Sequence, residues 1–256
     1  MTKAIDITNY LDEFFPRDTA ESYDNPGYIT GSANTKVKRV VLALDATSDA
    51  VKFAADAKAQ MLIVHHPLIF GGINSVCEDD YKGRIITSMI RNNITSFAAH
   101  TNLDKNDMFS NSILAQVLGG TESSVDAPEN VCCGVYCELK VKTTVKEFAK
   151  EITQRLDSTG VITYAPHSRK VKKLFVQGGA FDEESNPTVL ELGADTVVSG
   201  EIKHHVMLEL EEYGISAFVA GHNATERVFM EHLRGVLEEA FPEVEFVYFV
   251  GNEQSF

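Results

Sequence analysis

The sequence predicts an α/β protein built from two similar units that face each other across a shared site. Three observations carry this. Short apolar runs alternate with helical patterns through the first hundred residues, the strand–helix–strand order of a parallel sheet. One strand-and-loop pattern occurs twice, at 59–66 with 93–104 and again at 194–201 with 214–226. In both copies a strand delivers a histidine and then, four positions on, a carboxylate: His100 with Asp104, and His222 with Glu226.

The elements follow in order. Residues 1–16 carry Ile5, Ile7, Leu11, Phe14 and Phe15 at helical spacing. The stretch 21–31 (ESYDNPGYITG) is rich in turn formers and is expected to be irregular. A buried strand at 38–44 (KRVVLAL) leads to a helix capped by Thr47 or Ser48 and ending near Lys58. A strand at 61–64 ends at His65 and His66, where Pro67 forbids regular continuation. A helix at 83–91, a strand at 95–99 and a loop at 100–104 complete the first unit. The middle stretch reads as a smaller α+β insert or half-domain, with a strand at 135–142, a helix at 144–155 and short strands at 161–164 and 173–176, closed by a turn at Gly178 and Gly179. A domain of residues 1–125 and a second of 126–256 are expected, the latter packing its C-terminal part back on the first. Duplication explains the repeated pattern; chance likeness of two buried strands is the alternative.

With 23 basic against 37 acidic residues, the net charge is −14, which disfavours nucleic acid and anionic membranes as partners. Bound cations would still allow an anionic small molecule locally. No apolar run reaches the ~18 residues of a membrane span, and residues 1–16 lack the pattern of a signal peptide, so a cytoplasmic location is expected. Cys77, Cys132, Cys133 and Cys137 lack zinc-site spacing and read as reduced, structural thiols.

Ligands of open α/β sheets gather beyond the carboxyl ends of strands. His65, His66, His100, Asp104, His222 and Glu226 all fall there, a set of nitrogen and oxygen donors suited to zinc, iron, manganese, nickel or cobalt. Adjacent histidines on a strand point to opposite sides, so His65 and His66 can share a site only if the chain bends. Each residue has a plainer role open to it: Asp104 as a turn former, Glu226 as a partner of a helix N-terminus.

The strings IVHHPLIF (63–70), AAHTNLD (98–104) and GHNATERVF (221–229), with the loop YDNPGYITG (23–31), resemble the dinuclear metal-binding family of GTP cyclohydrolase I type 2 homologues, also called NIF-three-like. Tyr23 stands where that family usually has tryptophan. The resemblance implies two interlinked α/β domains of similar topology with a dinuclear metal site between them. It implies that His65, His66, Asp104, His222 and Glu226 bind two divalent ions, zinc, iron or manganese, with Glu226 bridging. His100 is implied to be a further ligand or a catalytic partner beside the metals. The segment SGEIKHH (199–205) suggests Glu201 or His205 as a proton carrier, and His205 is taken with His100 as the catalytic pair. The implied activity is hydrolysis by a metal-bound hydroxide attacking C8 of the guanine ring of GTP, in a ring-shaped homohexamer. A non-catalytic metal-binding adaptor or metal-handling protein is the alternative, and a metal-dependent phosphoesterase is a third reading. No Walker-type phosphate loop is present.

Overall fold

A computed structural model describes residues 1–106, 108–122 and 134–251 of the chain. In chain order it contains α1 (Ala4–Phe14), β1 (Gly27–Thr30), β2 (Arg39–Asp45), α2 (Ser48–Asp56), β3 (Met61–His66), α3 (Tyr81–Arg91), β4 (Thr95–Ala98) and α4 (Thr101–Asp104). There follow α5 (Ser110–Val117), β5 (Gly120–Glu122), β6 (Val135–Thr144), α6 (Val145–Leu156), β7 (Ile162–Tyr164) and β8 (Lys170–Ala180). The chain ends its described part with α7 (Asn186–Glu191), β9 (Thr196–Glu201), α8 (His204–Glu212), β10 (Ser216–Val219), α9 (His222–Ala240) and β11 (Glu245–Phe249). The fold class is α/β, with two sheets.

The chain forms two compact units, one of residues 1–106 and 230–251, the other of 108–122 and 134–229. The boundary expected near residue 125 falls outside the described residues. In the first unit the sheet order is β1-β4-β3-β2-β11, parallel throughout except for β1, which runs antiparallel along β4. Strands covered on both faces need apolar residues at every position, and Met61, Leu62, Ile63, Val64 and His65 are all buried. In the second unit the order is β5-β6-β8-β9-β10-β7, with β8, β9 and β10 parallel and the outer strands antiparallel.

The repeat is present bond by bond within the two units. Thr95 N donates to Gln60 O at 2.9 Å, and Ser216 N to Asp195 O at 2.9 Å. Ala99 N donates to Val64 O at 3.0 Å, and Ala220 N to Ser199 O at 2.9 Å. Gln60 Oε1 accepts from the Lys38 and Arg39 amides, as Asp195 Oδ1 does from those of Lys172 and Lys173. The likeness extends to the middle stretch. Ala4 N bonds to Thr35 O and Val145 N to Arg169 O; β1 lies antiparallel on β4 with Tyr28 opposite Phe97, and β7 on β10 with Thr163 opposite Phe218. Residues 145–180 therefore correspond to α1, β1 and β2, so that of the two readings the half-domain holds and the insert does not.

Three local expectations are corrected. Gly27–Thr30, expected to be irregular, is the edge strand β1, because Tyr28, Ile29 and Thr30 need only one neighbour to pair with and a bulge between Tyr28 and Thr30 absorbs the misfit. The loop expected at 100–104 winds into the single turn α4, started by the Asn102 side chain, whose oxygen accepts from His100 N at 3.0 Å. Gly178 and Gly179 do not make a turn between elements. They lie inside β8, where Gly179 at φ +62° displaces the register against β9.

Cys77 is exposed and Cys137 buried, neither in a disulfide. Burial pushes the Cys137 thiol up to about 12, so it is inert packing rather than a nucleophile. Cys132 and Cys133 lie outside the described residues. Among the described residues no helix is long and apolar enough to cross a membrane.

Candidate functional site

In the first unit, β3 and β4 run parallel and end side by side, Val64 being paired with Ala98. Their carboxyl ends deliver His65, His66 and His100 to one place. The ring centroids are 4.8 Å apart for His65 and His66, 4.9 Å for His65 and His100, and 5.4 Å for His66 and His100. The neighbouring histidines share a site although both belong to β3. The strand stops at His66, where Pro67 terminates the ladder, and the two rings lie tilted at 54° to each other. Asp104, at the end of α4, brings Oδ2 to 3.5 Å from His65 Nε2.

Each ring is held from behind through Nδ1. His65 Nδ1 lies 2.9 Å from Ala99 O, His66 Nδ1 2.9 Å from Asp45 Oδ1, and His100 Nδ1 2.9 Å from Asp24 Oδ1. Donation from Nδ1 fixes a tautomer with its lone pair at Nε2, the arrangement in which metal-ligating imidazoles are ordinarily held. Asp24 is the most enclosed of the backing groups, its side chain 0% exposed. Burial opposes its charge, yet hydrogen bonds from His100, Thr101 and Asn25 and the attraction of the His100 ring outweigh burial and hold the carboxyl well below the usual range.

In the second unit, His222 opens α9 and Glu226 stands one turn along on the same face, with His222 Nε2 3.2 Å from Glu226 Oε2. Here too Nδ1 is engaged, at 3.1 Å from Glu201 Oε1 at the end of β9. The helix starts at His222, and Thr225 Oγ1 bonds back to the carbonyls of Gly221 and His222. Two glycines make room for this turn. A Cβ on Gly179 would stand 2.2 Å from Glu226 Oε1 and 3.2 Å from His222 Nε2, and one on Gly200 would stand 2.7 Å from the His222 Cα. His205 is elsewhere on this unit. It lies exposed in the first turn of α8 and bonds to Glu183 at 3.1 Å rather than to His222 or Glu226.

The first unit's donors fit a divalent transition metal. The donor atoms of His65, His66 and His100 lie within 4.8 Å of one another. Two nitrogens at ~2.1 Å from one ion are at most ~4.2 Å apart, so side-chain movements of a few tenths of an ångström suffice. The sequence showed the donors but not Asp24, Asp45 or the shaping role of Gly179. The signal for Asp24 was its place in the turn-rich YDNPG loop; Asp45 offered none beyond standing at a strand end.

The sequence pattern of the family described as Duf34/NIF3 (NGG1p interacting factor 3) matches residues 2–254. A Clostridium perfringens protein named GTP cyclohydrolase 1 type 2 homolog is 28% identical over 252 residues, 96% of this chain and 95% of that protein. A Streptomyces coelicolor protein of the same name is 30% identical over 248 residues, 93% of this chain and 87% of its own. The crystal structure of the Staphylococcus aureus hypothetical protein SA1388 superposes with a TM-score of 0.91 at 28% identity, covering 99% of this chain and 98% of that one. The match over residues 2–254, on a fold shared over nearly its full length, places this chain in the Duf34/NIF3 family.

Proposed function

We propose that the chain is a dinuclear metal-dependent hydrolase acting on a small molecule, with a purine nucleotide such as GTP as the substrate class to test first. In this reading His65, His66 and Asp104 of the first unit and His222 and Glu226 of the second would hold two divalent ions, zinc, iron or manganese. The single observation carrying it is that His65, His66, His100 and His222 are all backed through Nδ1 by a carboxylate or a carbonyl. Histidines serving only as surface or packing residues have no need of that uniform arrangement. The names of the relatives support the substrate class.

Two such ions, when bound, make water acidic enough to attack at neutral pH and polarise the group attacked. The chain's own residues do the rest. His65, fully buried, is held by Ala99 and cannot turn away. Asp45 and Glu201 keep His66 and His222 in one orientation each. His100 adds a further donor to the first unit.

The test is elemental analysis of the reconstituted chain together with release of formate from GTP. About two ions per chain are expected, and His65→Ala and Glu226→Ala should each lower both the metal content and turnover by tenfold or more. A ratio near zero in the wild type, or turnover undiminished in both variants, rejects the reading.

A further inference from the structure

The loop between α1 and β1 is tied to the site by one carboxylate. Asp24 Oδ1 accepts from His100 Nδ1 at 2.9 Å and from Asn25 N at 2.7 Å. Its Oδ2 accepts from Thr101 N at 3.0 Å and from Thr101 Oγ1 at 2.5 Å. Thr101 Oγ1 accepts in turn from Glu21 N at 2.9 Å, and Asn25 Nδ2 donates to Ile69 O at 2.7 Å. The loop thus grips the start of α4 on one side and the segment following His66 on the other.

We propose that Asp24 is the positioning residue for His100. By accepting from Nδ1 it keeps the ring proton there, leaves the lone pair on Nε2, and holds the ring beside those of His65 and His66. The plainer role is that of a loop-capping aspartate, for which the bonds to Asn25 and Thr101 alone would be enough. The two roles differ in what becomes of the His100 proton. The metal part of the proposal rests on the reading of the donors given above; the proton part does not.

The near-isosteric change Asp24→Asn separates them. The backbone and hydroxyl donors of Thr101 both point at Oδ2, against the single obligate donor Asn25 N at Oδ1, so the balance of donors puts the amide oxygen on the Thr101 side and turns the NH₂ to His100. A donor facing Nδ1 forces the ring proton to Nε2. The same change in the serine protease triad leaves the geometry intact and reverses the histidine tautomer.

Ring ¹⁵N–¹H correlation spectra of the metal-free full chain at pH 8 read the proton directly. The wild type should show His100 protonated on Nδ1, and Asp24→Asn should show it on Nε2. The cobalt(II) affinity of the variant, measured by competition with a chromophoric chelator, should fall about 10- to 100-fold. In an Asp24→Asn, His100→Ala double variant it should stay within about twofold of His100→Ala alone, because residues acting through one contact are not additive. Wild-type His100 protonated on Nε2 overturns the proposal without recourse to any variant. So does a variant that keeps its proton on Nδ1, or losses in cobalt affinity that multiply. Absence of metal uptake by the wild type would sink the hydrolase reading, and the metal-free spectra would still decide the role of Asp24.

Discussion

Gly179 carries two constraints at once. Its φ of +62° is one that L side chains adopt at a cost of ~1–2 kcal/mol, and a Cβ there would stand 2.2 Å from Glu226 Oε1. Gly193 shares only the first constraint, with φ +64° and nothing within 4 Å of its Cβ position. Urea unfolding should therefore show Gly193→Ala losing ~1 kcal/mol and Gly179→Ala losing more, ~2–3 kcal/mol, because Glu226 must move as well. Metal content should fall in Gly179→Ala alone. Equal losses, with metal uptake unaffected in both, would mean that the glycine does not shape the Glu226 site. At this scale the donors were legible because a histidine followed by a carboxylate four positions later stands out at a strand end. The backing residues were not. Asp24 is 76 positions from His100 and Asp45 is 21 from His66, and their work is defined by a partner that only the folded chain supplies.

At the scale of elements, the two copies test each other. Asn93 and Gly214 precede equivalent strands, with φ of +53° and +77°. Since Asn93 holds the left-handed turn in one copy, Gly214→Asn should be tolerated in the other. Its change in unfolding free energy should stay within ~0.5 kcal/mol, asparagine being the best accommodated of non-glycine residues there. A loss above ~2 kcal/mol would show that the two turns are not equivalent. The β3–β4 and β9–β10 pairs were readable because parallel strands buried on both faces appear as unbroken apolar runs. The match of α6, β7 and β8 to α1, β1 and β2 was not, since it lives in main-chain bonds and caps. The Asp6 side chain accepts from Lys3 N, and that of Glu147 from Thr144 N, with no sequence likeness between the segments. Proline and glycine also disguised β1, where an edge strand tolerates both.

For the whole molecule, the proposed ions should stabilise the native chain, since converging donors exist only in the folded state. A site at a free-ion concentration of about a hundred times its dissociation constant contributes ~2.7 kcal/mol. In a chain of this size that is a rise of roughly 5–10 °C in the unfolding midpoint per ion. Thermal melts of reconstituted and chelator-treated protein should show that gap, and superimposable curves would argue against metal held in the native fold. The net charge of −14 makes the expectation stronger, because cations relieve the self-repulsion of an acidic chain.

The parallel pairing of β11 with β2 bears on biosynthesis. About two hundred residues separate Arg39 from Glu245, its partner in register, and the whole second unit is translated between them. On a ribosome the second unit can close while the first still has an open sheet edge at β2, a vulnerable template for wrong pairing. Nascent chains arrested after residue 229 should therefore protect the second unit from protease before the first.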